Sequence, residues 1–390
     1  MKKIVMGAAA LLCAASMFAV DFAATIKMAG DIAGGAVTEG TADTTYIWKL
    51  NSNDQKDADA LKLSVSGDQA GASFQFWYTY CGGDAPTAKT TAETKDETTT
   101  YTTAITPNSI IQVRSVKLWF KPIDQLKVTV GDVAFSPLYK ERIFWWHGIN
   151  GGAAVGSWGA FGGDYFAGAG LTADLSINSL SVTAALIPGF GKDENGEIKP
   201  NAFVSTTPNY GYKSWGISAK YAFDGGSVGV AFADKGFNEA KTVSLGGEYT
   251  ISGLYANVNL GARFGNSGFL SFSIDDYLEY SLDALKIQAH LPFVFTKSES
   301  TIVPGMYATV KLSYVIDGLT PYFLASTEPD GDSGWTLDNT FKFKMTFQPG
   351  VTFNVGAASF DIAFRADVDD SKEGNSKFEW KIPFSIGVGF

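Results

Sequence analysis

Cysteine is almost missing from this sequence: two residues in 390, one of them Cys13 in the N-terminal segment. Beyond that segment Cys81 stands alone, so no disulfide framework can hold an exported chain of this size together. Histidine is as scarce, with His147 and His290 the two examples. After the first residues no stretch approaches the roughly 20 apolar residues of a spanning helix, although 45% of the chain is hydrophobic. Positive charge is outweighed, 30 Lys and Arg against 40 Asp and Glu, and an acidic chain is a poor partner for nucleic acid. No phosphate loop, dinucleotide motif or metal-ligand cluster occurs, so neither cofactor nor metal is expected.

Aromatics and glycine are what it has in quantity, with 29 Phe and 43 Gly. Met1-Lys2-Lys3 followed by an apolar run from Ile4 through Ala15 reads as an export signal. A cut at Ala19 makes residues 1–19 the signal and 20–390 one structural unit, with Ala24 as the fallback site. Losing Lys2 and Lys3 makes the net charge of −10 more negative by two. Cys13 invites a lipid-anchor reading, but Leu12 stands before it where a small residue belongs.

The C-terminal stretch KFEWKIPFSIGVGF alternates without a break. Phe378, Trp380, Ile382, Phe384, Ile386, Val388 and Phe390 share one parity; Glu379, Lys381, Pro383, Ser385, Gly387 and Gly389 share the other. Side chains of a strand alternate faces, so one face is apolar and the other polar or small. The same holds for Leu285, Ile287, Ala289, Leu291, Phe293 and Phe295 against Lys286, Gln288 and His290. It holds again for Met306 to Ile316 against Thr309, Lys311 and Ser313, and for Phe341 to Phe347 against Lys342, Lys344 and Thr346. Such strands exceed the usual ~5–6 residues of globular sheets and suit a tilted membrane strand.

Tight-turn residues recur between these segments: Gly67-Asp68-Gln69-Ala70, Ile123-Asp124-Gln125, Asn178-Ser179, Asp224-Gly225-Gly226, Ser252-Gly253, Asp283-Ala284, Asp317-Gly318 and Gln348-Pro349-Gly350. Asp, Asn, Ser and Gly favour such corners because they tolerate positive φ or bond locally. Turns that join pairs of strands, plus a first strand near Phe22 to Ala33 and the last, predict an all-β, closed antiparallel transmembrane barrel of about 18 strands, with 16 as the alternative. Both termini then lie on the short-turn side. Three places fit badly. Val351-Phe353-Val355 and Phe360-Ile362-Phe364 differ in parity, Ile111-Val113 and Val116-Leu118-Phe120 change phase, and Asp276 falls on an apolar face. A soluble sandwich would have to cover every apolar face with a second sheet; strand length, signal and turns favour lipid, with Phe120, Phe223, Phe264, Phe295, Phe347 and Phe390 as girdle aromatics.

The terminal strand closing on Phe390 resembles the C-terminal signal of bacterial outer-membrane barrels of the porin type, which implies recognition by barrel-assembly machinery in the outer membrane of a diderm bacterium. WFKPIDQLKVTVGD (Trp119–Asp132) resembles phrases in spirochaetal outer-membrane barrels, and AFGGD (Ala160–Asp164) is similar to the end of the constriction-loop motif of general porins, with Ala160 where that motif has an acidic residue. The resemblance implies a water-filled channel in outer-membrane lipid through which small hydrophilic solutes and ions diffuse, in a barrel able to associate as a homotrimer.

On that plan Lys117, Lys127, Lys220, Arg263, Lys286, Lys311, Lys342, Lys344, Arg365 and Lys381 line the pore with Glu248 and Glu279, joined by Asp275, Asp361 and Glu379. Rings of Lys and Arg favour anions; the alternative is that these groups are simply solvated at strand ends. The loop Ser136–Gly163 carries Lys140, Glu141, Arg142, Trp145, Trp146 and His147 among glycines, and apolar aromatics on a loop need somewhere to pack. They either narrow the pore or cap the barrel mouth or a neighbouring protomer. The Thr-rich loop Gly82–Asn108 reads as solvated surface. An adhesin that binds host or matrix molecules through its loops is the second functional reading. Gly331-Asp332-Ser333-Gly334 looks like a serine-protease nucleophile segment but lacks a suitable histidine, and His290 with Ser313 or Glu279 is a commoner thing as a polar lumen group, so no enzyme is expected.

Overall fold

The strand Lys241–Ile251 has two unlike faces: Thr242 and Ser244 are 4% and 3% exposed, whereas Val243 and Leu245 between them are 49% and 53% exposed. Polar in and apolar out is the inverse of a soluble core, and it recurs around the sheet. In the computed structural model the described residues are 21–38, 44–50, 60–78, 87–95, 98–106, 111–136, 138–139, 166–188, 212–234, 241–265, 268–298, 301–306, 308–329, 343–369 and 377–390. They form a closed antiparallel barrel of 18 strands without a helix. The expected signal at residues 1–19 lies outside them.

In chain order the wall is Asp21–Thr38, Thr44–Leu50 continued by Ala60–Ser66, Ala70–Tyr78, Ile111–Ile123, Leu126–Phe135, Phe166–Ile177, Leu180–Pro188, Tyr212–Phe223, Gly226–Asp234, Lys241–Ile251, Leu254–Gly265, Gly268–Leu282, Leu285–His290 continued by Phe293–Ser298, Thr301–Met306 continued by Ala308–Tyr314, Leu319–Pro329, Phe343–Val355, Ala358–Ala363 continued by Arg365–Asp369, and Lys377–Gly389. Each pairs with its neighbours in sequence. The last pairs with the first from Thr25↔Gly389 to Thr38↔Lys377, and Phe390 and Ala24 exchange main-chain bonds of 3.0 and 2.8 Å. Closure leaves no sheet edge and satisfies the backbone, which hydrocarbon demands.

The short corners are where the turn residues lie. Ser252 and Gly253 have φ of 47° and 82°, Asp317 and Gly318 43° and 84°, the paired positive values of a two-residue hairpin turn. One corner is misplaced by the sequence reading. Gln348-Pro349-Gly350 is not a turn but the middle of the strand Phe343–Val355; the chain reverses at Gly356-Ala357, with Gly356 at φ 59°. Pro349 is tolerated there because the next strand breaks at Phe364, whose N–H bonds the Pro349 carbonyl at 2.9 Å. That moved corner also accounts for the parity change across 351–364. The phase change before Val116 is a register shift opposite Gln75 and Phe76.

Asp276 does point to the apolar side, and the sheet provides for it. Opposite it the strand Leu285–His290 is interrupted before Phe293, and the freed Leu291 N–H donates to Asp276 Oδ1 at 3.0 Å. On the outer face aromatics gather at two heights. Tyr221, Phe223, Tyr249, Tyr280 and Tyr314 flank the short turns, and Phe353 stacks on Phe360 with centroids 4.8 Å apart. Trp215 with Phe232 and Phe264 with Phe269 mark the other rim, their rings 5.1 and 6.1 Å apart. Within the loop 82–108, Thr87–Lys95 and Thr98–Thr106 form a hairpin that pairs with none of the described barrel strands, as β-branched threonine favours.

Candidate functional site in the barrel lumen

With one apolar side turned outward, the other parity of each strand faces the lumen. Around roughly half the circumference, from Lys241 to Asp369, that face carries one hydrogen-bond arrangement three times. Asn257 Nδ2 donates to the Tyr255 hydroxyl at 3.1 Å, and Tyr255 donates to Glu248 at 2.7 Å. Gln288 Nε2 donates to the Tyr277 hydroxyl at 2.7 Å, and Tyr277 donates to Glu279 at 2.8 Å. Gln348 Nε2 donates to the Tyr322 hydroxyl at 3.2 Å, and Tyr322 donates to Asp361 at 3.0 Å. Register places these units side by side: Asn257 lies opposite both Glu248 and Tyr277, and Gln288 opposite both Glu279 and Lys311.

A lysine attends each unit. Lys286 Nζ bonds Glu279 at 3.1 Å, Lys311 Nζ sits 4.5 Å from the centroid of the Tyr322 ring, and Lys220 lines one cavity of about 410 Å³ with Ser181, Ser227, Glu248 and Tyr255. Further along the wall Arg365, 2% exposed, donates to Asp367 at 2.9 Å, and Asp367 also accepts from Thr346 at 2.5 Å. Lys381 lies opposite Arg365, and Arg263 opposite Thr242 and Ser271. Lys117 pairs in register with Ser73; Lys127 lies opposite Asp174, its Nζ 4.9 Å from the Trp119 ring centroid. Lys344 is described by its backbone alone, opposite Asp369, and Lys342 lies outside the described residues. His290 meets neither Ser313 nor Glu279: its Nε2 is 2.5 Å from Asp275 Oδ1 in a buried pair.

The other sector, from Leu126 to Asp234, lines the lumen differently. Val133, Phe135, Phe166, Ala185, Ile187, Ala231 and Ala233 form a buried apolar cluster, with Phe135 and Phe166 stacked at 5.3 Å. The chain leaving the strand Leu126–Phe135 turns inward onto it, burying Leu138 and Tyr139 at 4% exposure each. Four contacts from three residues fasten this segment. The Tyr139 hydroxyl bonds Ser227 Oγ at 2.9 Å, Asn259 Nδ2 donates to the Tyr139 carbonyl at 3.0 Å, Lys220 donates to the Leu138 carbonyl, and Lys220 Nζ lies 4.4 Å from the Tyr139 ring centroid. Gly246 makes room: a Cβ there would stand 2.8 Å from the Tyr139 ring. Burial pushes the Tyr139 hydroxyl above its ordinary range, the Ser227 bond opposes this, and the Glu248 charge adds to it. Lys140, Glu141, Arg142, Trp145, Trp146 and His147 lie outside the described residues.

The sequence reading did not single out Trp119, Asp174, Asp367 or the three tyrosines, each of which enters the contacts described above. The turns held the missing signal: a corner at Ser252-Gly253 puts Asn257 opposite Glu248, and a corner at Asp283-Ala284 puts Gln288 opposite Glu279.

No protein-family model matches the chain, and no curated protein does. Among solved structures it is similar to the outer membrane protein OpdK of Pseudomonas aeruginosa, solved with vanillate, at 8% identity and TM-score 0.52, with 95% of this chain and 99% of that one covered. OpdL of the same organism matches at 10% identity and TM-score 0.53, covering 95% and 98%. OccAB3 of Acinetobacter baumannii matches at 9% and 0.53, covering 95% and 100%. The chain folds as an outer-membrane β-barrel of the porin type.

Proposed function

We propose that this barrel is an open channel in the outer membrane of a diderm bacterium, passing small hydrophilic solutes and ions by diffusion and leaning towards anions. The observation that supports this is the inward turn of Leu138 and Tyr139, which narrows the lumen from one side, while Lys286 and Lys311 stand in the polar sector of the wall. An 18-strand wall encloses far more space than its own side chains fill. Membrane lipid covers the apolar outer face, and the assembly machinery reads the strand that ends in Phe390.

Swelling of liposomes carrying the purified protein, in a graded series of sugars, tests the channel and its width together. Entry of small sugars with a sharp size limit is the expected result; no swelling for any sugar rejects the reading. Reversal potentials in a salt gradient test the charge preference, and clear cation preference rejects that part. A surface adhesin is the second reading, favoured by the 87–106 hairpin that stands apart from the wall; it is expected to bind immobilised matrix proteins while remaining closed in the bilayer.

A further inference from the structure

Three tyrosines in different strands repeat one geometry, and the direction of its hydrogen bonds is chemically forced. A side-chain amide N–H can only donate, so Asn257, Gln288 and Gln348 each occupy a lone pair of the phenol oxygen. The hydroxyl proton is left for a carboxylate, and in each case one receives it: Glu248, Glu279 and Asp361. A buried tyrosine needs some partner for its hydroxyl, but an amide carbonyl or a serine would suffice. All three here find a carboxylate, seven residues before, two residues after and thirty-nine residues after the tyrosine.

The consequence concerns which charge a passing solute meets. Charge-assisted bonds from O–H to carboxylate are short and roughly twice as strong as neutral ones. They draw the acids down against the wall: Glu248 takes Ser227 at 2.9 Å on one oxygen and Tyr255 on the other, and Glu279 takes Tyr277 and Gln288 on one oxygen. The tyrosines are themselves sunk in the wall, Tyr255, Tyr277 and Tyr322 being 7%, 1% and 8% exposed. At one unit the neighbouring cation stands clear of its acid. In the pair Lys286–Glu279 the lysine side chain is 45% exposed and the glutamate 12%. Coulomb attraction falls with distance and is screened fastest through water, so the charge nearer the solute decides the sign it feels. An acid and a base of equal charge therefore stand at unequal depths in that pair.

We infer that the hydroxyls of Tyr255, Tyr277 and Tyr322 are positioning groups for ion selectivity, retaining three carboxylates at the wall so that Lys286 and Lys311 set an anion-attracting potential. This rests on the channel reading above. The phenol ring has a second use at one unit, as the surface over which Lys311 is held. Replacing Tyr by Phe keeps ring and packing and removes only the hydroxyl.

The test is the anion-over-cation permeability ratio of the full-length protein in planar bilayers under a potassium chloride gradient. In the triple variant Y255F/Y277F/Y322F the ratio falls towards unity, because freed carboxylates move into the lumen and meet the permeating ions. An unchanged ratio in a variant that still inserts and conducts overturns the inference. Should the triple variant fail to assemble, Y277F alone serves, made both in the wild-type protein and in the E279Q background. If the tyrosine acts through its carboxylate, Y277F shifts the ratio in the wild-type protein and is silent in the E279Q one; equal shifts in both backgrounds overturn the proposal. Wild-type protein that does not conduct at all brings down the channel reading and this inference with it. Conducting wild-type protein with a ratio indifferent to the hydroxyls brings down the inference alone.

Discussion

The lumen has two halves made on different principles. Between Leu126 and Asp234 the inner wall carries a buried apolar patch, from Val133 and Phe135 to Ala231 and Ala233, and the chain's own Leu138 and Tyr139 lie over it. Between Lys241 and Asp369 the inner wall is amide, phenol, carboxylate and lysine, bonded laterally from strand to strand, with the Lys286 side chain 45% exposed. Strand pairing is the same in both. What differs is the solvent each inner face was composed for: protein in one half, water in the other. The apolar patch thus marks where Leu138 and Tyr139 are seated, and the polar sector is the side that the proposed channel leaves to solutes.

That contrast predicts unequal costs of truncation. Phe135→Ala removes one ring of the stacked pair at the centre of the apolar sector and is expected to cost about 3–5 kcal/mol. Gln288→Ala in the polar sector leaves the Tyr277 hydroxyl with its carboxylate and is expected to cost about 1–3 kcal/mol. Guanidinium unfolding of the protein in detergent, followed by tryptophan fluorescence, measures both. Equal costs would mean that the apolar sector is not a packed seat.

A smaller effect on stability, with a larger one on transport, is expected at Gly246. A leucine there meets the Tyr139 ring and Asn259, whose Oδ1 would be 2.7 Å from the new Cβ. Overpacking of this kind costs about 1–3 kcal/mol, and the relief available is to lift the loop out of the barrel. Single-channel conductance of Gly246→Leu therefore rises. Unchanged conductance in an assembled variant would separate the fastening of Tyr139 from the width of the pore.

Much of this plan is legible in the residues. The alternation of Phe378 to Phe390, and of Leu285 to Phe295, assigns faces correctly, and Ser252-Gly253 or Asp317-Gly318 mark corners because their φ values demand such residues. Gln348-Pro349-Gly350 misleads because proline and glycine there serve a strand interruption across the ladder and a close approach of the Tyr322 ring, whose hydroxyl oxygen would stand 2.5 Å from a Cβ at Gly350. Asp276 looks like an error on a lipid face until Leu291 is seen beside it, and that neighbour depends on where the facing strand breaks. The seat of Tyr139 is harder still. Ser227 and Asn259 are 88 and 120 residues away, and nothing local in 136–139 names them.

The smallest expected effect tests the boundary between the halves, since Tyr139 reaches from the apolar seat to Ser227 beside Glu248. Its hydroxyl is held above the ordinary 10.0, burial being the main cause. A raised value in the folded chain means that the seated loop favours the protonated phenol. The stabilisation is complete below pH 10.0 and is lost as the pH climbs through the raised value. Conductance recorded against pH is thus flat up to that point on account of this group and rises above it as the phenolate leaves its seat. Tyr139→Phe has no proton to lose, so its alkaline rise disappears, while the ring keeps Leu138 and the apolar cluster covered. An alkaline rise of the same size in both proteins would assign it to the lumen lysines, and the two halves would then be coupled through charge rather than through the seated loop.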